Sequence, residues 1–360
     1  MKISWKKHTL QFTFGAGTSR GVMHTKDTWY LIGEHQGMHF YGECGPLKGL
    51  SPDDTPEFET KLDQVCKHLS QRSMFAWETD AFALSLIAEL ELLAYPSIVM
   101  GLETLHHDFL TGGQRIIYRT PFTTQSFSIP INGLVWMNDA EHMLQQAIQK
   151  VKAGFTCVKF KVGAIDFEKE CWVLQQLRDT YPDQPLTIRL DANGAFDETN
   201  VWERLEQLSM YEIHSIEQPI KPGQGDLMRQ LCKDGAIDIA LDEELIGVYH
   251  KEAKTALLED LNPSFIILKP TLLGGFSSCT DWIEQAEHRG IEWWMTSALE
   301  SNIGLNAIAQ YTSTYRVHTP QGLGTGSLYH NNVPSPLEVI NGTIRYNKNA
   351  LWDLSLISGT

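Results

Sequence analysis

The sequence predicts an α/β protein in which a parallel (β/α) barrel follows a small α+β unit. Six strand-like runs lead in succession to polar residues, at Lys161, Asp191, Glu217, Asp242, Lys269 and Thr296, spaced 25 to 30 residues apart. One strand, one helix and two loops take about that many residues in a barrel of roughly 250. The chain has 360 residues, and its opening stretch follows a different rhythm.

Residues 1 to about 55 read as β-structure. The run 10–14 alternates and 28–32 is a second apolar strand. Between them, Gly15-Ala16-Gly17-Thr18-Ser19-Arg20-Gly21 fits either a mobile loop that covers a site or a long hairpin turn. Ser51-Pro52-Asp53-Asp54 is a turn or helix start, and helical stretches follow near 56–70 and 77–94. From about 129 the rhythm changes. The run 130–136 reads as the first barrel strand, and Asn138-Asp139 offers a helix cap before the amphipathic run 140–152. Strand and helix signals alternate to about 314, as covering helices on parallel strands require. The segments 337–340 and 343–346 return to β-structure.

Hydrophobic residues make up 42% and charged residues 20%, the composition of an ordinary soluble globular protein. A net charge of −15 argues against nucleic acid, which needs a basic face. A small anionic substrate stays open, because the field of a cleft can oppose the net charge. No apolar run approaches the ~20 residues of a membrane span. The first eight residues lack an apolar signal core, and the six scattered cysteines form no CxxC pair. Both point to a cytoplasmic protein with reduced thiols. No uncovered apolar stripe assigns an oligomeric state.

The strand-end residues carry the chemistry. In a (β/α) barrel the C-terminal ends of the strands surround one pocket. Asp191, Glu217 and Asp242, from consecutive strands, suit a hard divalent cation; Mg²⁺ is the first expectation, and Mn²⁺ fits the same oxygen ligands. The alternative, that each acid is a helix cap or ion-pair partner, weakens when three recur at barrel spacing. Lys159 and Lys161 point to one side of their strand. Facing a helix layer they are costly to bury; facing the mouth, a lysine among cations can serve as a general base. Lys269 faces Lys161 across the pocket. Together the parts imply proton abstraction α to the carboxylate of a small molecule, with developing charge met by fixed charge.

Lys159-Phe160-Lys161, Asp191-Ala192-Asn193-Gly194, Glu217-Gln218-Pro219, Asp242-Glu243 and Lys269-Pro270 resemble, in order, the muconate-lactonizing subgroup of the enolase superfamily. The resemblance covers nearly the whole chain. It implies a modified TIM barrel, (β/α)7β, over about 126–327, with an α+β capping domain from 1–125 completed by about 328–360. It also implies that the loop at 15–21 is a lid. Three further segments, 131–136, 297–305 and 322–326, are similar to the o-succinylbenzoate synthase family within that subgroup. That likeness implies a syn dehydration of 2-succinyl-6-hydroxy-2,4-cyclohexadiene-1-carboxylate in menaquinone biosynthesis.

Carried over residue by residue, Lys161 is the base and then the acid that protonates the departing hydroxyl. Asp191, Glu217 and Asp242 hold Mg²⁺. Lys269 stabilises the enediolate, with a cation–π contribution to the forming ring. Lys159 binds the substrate carboxylate. Asn193 and Glu243 orient ligands or lysines, and Ser297 and Gly322 meet the succinyl arm through backbone groups. The bland reading of these last two is a serine after a strand and a glycine in a loop. The same catalytic set suits an N-acylamino acid racemase, a dipeptide epimerase or a muconate cycloisomerase. Gly322-Leu323-Gly324-Thr325-Gly326-Ser327 lacks the acidic motif that dipeptide epimerases use, which counts against dipeptides. A non-catalytic barrel that binds a metabolite is the reading from another class, and the complete residue set disfavours it.

Overall fold

The computed structural model describes residues 1–18, 21–79 and 81–357. Ser19 and Arg20 of the expected lid, Asp80 of the second expected helix and the last three residues of the tail lie outside the described residues. The N-terminal sheet is antiparallel, in the order β1 (Lys2–Thr18), β2 (Gly21–His35), β3 (Met38–Cys44). Both expected strands are present but much longer, because β1 and β2 pair from Lys2↔Glu34 to Thr18↔Gly21. The described part of the glycine-rich segment belongs to this hairpin.

Helix Phe58–Ser70 buries Phe58, Leu62, Val65 and Leu69 on one face, as its amphipathic pattern demands. The single helix expected at 77–94 is instead Met74–Trp77, capped by Ser73, and Phe82–Glu89. Sequence reading missed a third helix, Pro96–Leu110, which opens on proline and is buried nearly all round. A helix enclosed on every side has no polar stripe to reveal its period.

The expected strand at 130–136 is two strands. β4 (Ser128–Pro130) joins a small antiparallel sheet, and β5 (Gly133–Val135) opens the barrel. Asp139 accepts from the N–H of His142 and caps helix Ala140–Lys152, as its position predicted. Then follow β6 (Cys157–Lys161), β7 (Thr187–Asp191), β8 (Ile213–Glu217), β9 (Ile239–Leu241), β10 (Phe265–Leu268) and β11 (Glu292–Met295), parallel and in sequential order. Parallel bridges of Gln321 to Ile131 and Gly322 to Thr296 close the barrel between β11 and β5. This is the (β/α)7β form.

β12 (Leu337–Ile340) and β13 (Thr343–Tyr346) extend the sheet begun by β4. Beyond them, Trp352, Leu354 and Ile357 pack with Tyr30 and Tyr41 of the N-terminal sheet, so the tail completes the cap. Inside the barrel Ala240, Phe265, Ile267 and Trp294 make an apolar floor. The Arg189 guanidinium stacks 3.8 Å from the Trp294 ring centre.

Two buried carboxylates tie cap to barrel. Glu43 of β3 accepts from Thr28 at 2.8 Å, from Ser301 N and Oγ at 2.8 and 2.6 Å, and from Gly304 N at 2.7 Å. Glu103, on the missed helix, accepts from the N–H groups of Phe276 and Ser277 and from the Ser277 hydroxyl. Each carboxylate sits at a helix N-terminus, where orphan N–H groups and the helix dipole favour negative charge.

Candidate active site

Parallel register builds the site. Lys161, Asp191 and Glu217 pair across β6, β7 and β8, so their side chains share one layer of the barrel mouth. Lys159 lies one layer below, in register with Arg189. Asp242 and Lys269 stand one residue beyond β9 and β10. β7, β8 and β9 separate the strands that carry Lys161 and Lys269. The three predicted lysines and the three predicted metal-binding carboxylates therefore converge on one end of the barrel.

Their contacts form one buried network. Lys159 Nζ donates to Asp191 at 3.0 Å and to Glu217 at 2.6 Å. Lys161 Nζ donates to Asp191 at 2.9 Å and to Asn193 Oδ1 at 2.7 Å. Asn193 passes its Nδ2–H to Glu243 at 3.0 Å. Asn193 holds a left-handed backbone, φ 45°, which asparagine tolerates better than most residues. Lys269 Nζ reaches Glu217 at 3.3 Å and makes a short contact with Asp242.

The electrostatics follow from this wiring. Burial raises the Asp191 carboxyl, but Lys159 and Lys161 outweigh it and hold the group well below the usual range. Glu217 is lowered in the same way, burial being overcome by Lys159 and Lys269. At Asp242 burial wins over Lys269, and the carboxyl is driven well above the usual range. Burial lowers Lys159 and Lys269, yet their carboxylate neighbours raise both.

The donor set fits a divalent cation. Three buried carboxylates from adjacent strands supply oxygen only, and lysine ammonium groups now balance their charge. Burial keeps the Asp242 carboxyl high even beside Lys269, and an added cation would favour its charged form. Among the described residues no three such side chains already stand at metal-binding spacing, because the lysines lie between them.

Sequence reasoning passed over several positioning groups. Gln218, φ 41°, accepts from the N–H of Asp242 at 3.2 Å and of Glu244 at 3.1 Å, fixing the turn that aims Asp242. Its place between Glu217 and Pro219 was the available signal. Glu300 accepts from Thr271 and Ser297, linking the segments after β10 and β11. Ser297 and Gly322 do line the cavity. Their N–H groups, however, are spent in the sheet: Ser297 N donates to Gly322 O at 3.0 Å and Gly322 N to Met295 O at 2.8 Å.

Above the network lies a cavity of ≈ 450 Å³, roofed by Phe14, Gly15 and Met23 of the β1–β2 hairpin and walled by Leu134, Trp136 and Leu299. Its volume suits a small molecule, and its walls are largely apolar. A closed barrel with lysines and carboxylates at its strand ends, beneath a hairpin from a separate cap, is the architecture of the enolase superfamily. Residues 142–350 match the family model described as enolase C-terminal domain-like. The chain is 42% identical to the o-succinylbenzoate synthase of Desulfotalea psychrophila, over 96% of this chain and 98% of that protein. It therefore belongs to the o-succinylbenzoate synthase family.

The crystal structure of MenC from Desulfotalea psychrophila LSv54 superposes with a TM-score of 0.86 at 38% identity, covering 96% of this chain and 99% of that one. A dipeptide epimerase from Enterococcus faecalis V583, solved with Mg and the dipeptide L-Leu-L-Tyr, shares the fold with a TM-score of 0.80 at 18% identity over 96% of each chain. Among the described residues no helix is long and apolar enough to cross a membrane.

Proposed function

We propose that this chain is an o-succinylbenzoate synthase that uses Mg²⁺ and accepts Mn²⁺. It removes water from 2-succinyl-6-hydroxy-2,4-cyclohexadiene-1-carboxylate to give o-succinylbenzoate. The observation that carries this reading is the 42% identity to a named synthase over 96% of the chain. The buried lysine–carboxylate network supports it, because the reaction needs a base and fixed charge around one carboxylate.

Lys161, in its neutral form, takes the proton from the carbon α to the ring carboxylate. The C–H electrons pass into an enediolate. They return to expel the hydroxyl on the neighbouring carbon, which leaves as water with the proton from Lys161. One base thus serves both steps on one face, and the ring becomes aromatic. Asp191, Glu217 and Asp242 would hold the cation, which when bound would supply positive charge to the substrate carboxylate.

Lys269 adds its charge from the opposite side, where fixed charge acts without reorganisation. Lys159 binds the substrate carboxylate and, through its bonds to Asp191 and Glu217, keeps both acids oriented. Asn193, bonded to Glu243, holds the Lys161 ammonium from the other side. Ser297 and Gly322 shape the wall that meets the arm. The division into a cap of 1–125 plus about 328–360 and a barrel of 126–327 belongs to the same proposal. So does a cytoplasmic location, which six unpaired cysteines favour.

The test is loss of diene absorbance by the purified protein with Mg²⁺, with an EDTA control. Fast, EDTA-sensitive loss is expected. A protein that binds Mg²⁺ but leaves this substrate untouched rejects the reading. Lysines on opposite sides of the pocket also favour α-proton exchange on N-acylamino acids, and wash-in of deuterium from D₂O tests that second reading.

A further inference from the structure

We propose that Asn132 reads the carboxylate at the end of the substrate's side arm. The assignment rests on the dehydration reading above and names a contact that reading lacks.

Asn132 stands just before β5 and lines the cavity. It is 5% exposed, its Oδ1 is enclosed without a partner, and its side chain makes no hydrogen bond among the described residues. Its backbone is not free to move, because the N–H donates to Gln321 O at 2.9 Å. The Nδ2 donor also has no hydrogen bond among the described residues, and a largely buried donor calls for an acceptor. With Oδ1 closed off, the Nδ2 end is what the residue offers to the cavity.

Thr296, at the end of β11, repeats the pattern. It lines the same cavity, is 7% exposed, and its hydroxyl has no partner among the described residues. The closing strand runs between the two. There Gly322 is required, since a Cβ would stand 2.5 Å from Thr296 Oγ1. At Gly324 a Cβ would lie 3.4 Å from Ile131 Cδ1. Two glycines thus leave a notch between two unsatisfied polar side chains.

The neighbouring groups are already occupied. Ser297 Oγ donates to Glu300 and accepts from Thr325 Oγ1 at 2.8 Å and Leu299 N at 3.1 Å. The backbone N–H groups of Ser297 and Gly322 serve the sheet. A carboxamide nitrogen donates, and the arm carboxylate only accepts. A site built to hydrogen-bond one group discriminates strongly against a ligand that lacks it.

The experiment uses the Mg²⁺-loaded protein and two ligands, o-succinylbenzoate and 2-butanoylbenzoate, the second having a methyl in place of the arm carboxylate. Asn132→Leu should weaken o-succinylbenzoate roughly 10- to 100-fold by calorimetry and raise KM in step, while the loss for 2-butanoylbenzoate stays within about 3-fold. The isosteric Asn132→Asp should lose still more affinity for the succinyl ligand, by charge repulsion. Equal losses for both ligands would mean general damage to the pocket and overturn the assignment, as would no loss for either. A wild-type protein that neither binds o-succinylbenzoate nor turns over the diene rejects the dehydration reading itself, and the arm contact with it.

Discussion

Lys161 donates to Asp191 across 2.9 Å, so the proposed base and a proposed metal ligand share a hydrogen bond before substrate arrives. The contact orients the lysine from one side while Asn193 holds it from the other. It also makes the roles separable by mutation, because Asp191 keeps Lys159 at 3.0 Å when Lys161 is removed.

Lys161→Ala should lower kcat by at least 10² to 10⁴-fold, roughly the share of a general acid–base group. Mg²⁺ affinity by calorimetry and the melting temperature should stay near wild type. Arginine at this position should not restore turnover, since it cannot give up its proton. Retained activity in either variant removes Lys161 from the role of base.

Lys269→Ala should also cripple turnover, by about 10² to 10³-fold, through lost charge stabilisation. Lys269→Arg keeps the charge and should recover part of that loss. Kinetics that treat the arginine variants at 161 and 269 alike would contradict the division of labour.

Asp191→Asn, Glu217→Gln and Asp242→Asn should each weaken Mg²⁺ binding at least about 10-fold, and EDTA should silence the wild type until Mg²⁺ or Mn²⁺ returns. Asp191→Asn should also lower the melting temperature, because Lys159 and Lys161 both lose a buried counter-charge. Unchanged metal affinity in all three variants would exclude them as ligands.

Burial pushes the Glu103 carboxyl up to about 7, against the pull of Ser277 and Phe276. The folded protein then holds a proton that the unfolded chain releases near pH 4.5. Stability from this group is fully present below that pH and is lost as pH rises through about 7, by roughly 3 kcal/mol. Denaturant unfolding between pH 4.5 and 8 should show this slope, and Glu103→Gln should flatten it. An equal slope in the variant assigns the effect elsewhere.

At Gly17 an added Cβ would stand 2.6 Å from the carbonyl oxygen of Met137. Gly17→Ala should therefore push the hairpin off the barrel rim and raise KM several-fold with little change in melting temperature. An unchanged KM would mean that this contact does not help enclose the cavity.

The barrel and its mouth residues were legible in the amino-acid sequence. Short apolar strand runs that recur every 25 to 30 residues and alternate with helical runs favour parallel strands with covering helices, whose last residues then meet at one end. The Asp139 cap was legible for a similar local reason: an aspartate before an amphipathic run satisfies orphan N–H groups wherever it occurs. Helix Pro96–Leu110 was not legible, because enclosure on all sides removes the stripe that reveals a helix. The split of 130–136 into β4 and β5 was not legible either, since the partner of β4 is β13, more than 200 residues further on. Which polar groups remain free depends on packing between distant segments. Ser297 was the arm donor that the sequence suggested, but the fold spends its hydroxyl on Glu300, whereas Asn132, which the sequence did not single out, lines the cavity. Hydrogen bonding is settled by neighbours in space, and those neighbours come from strands far apart along the chain.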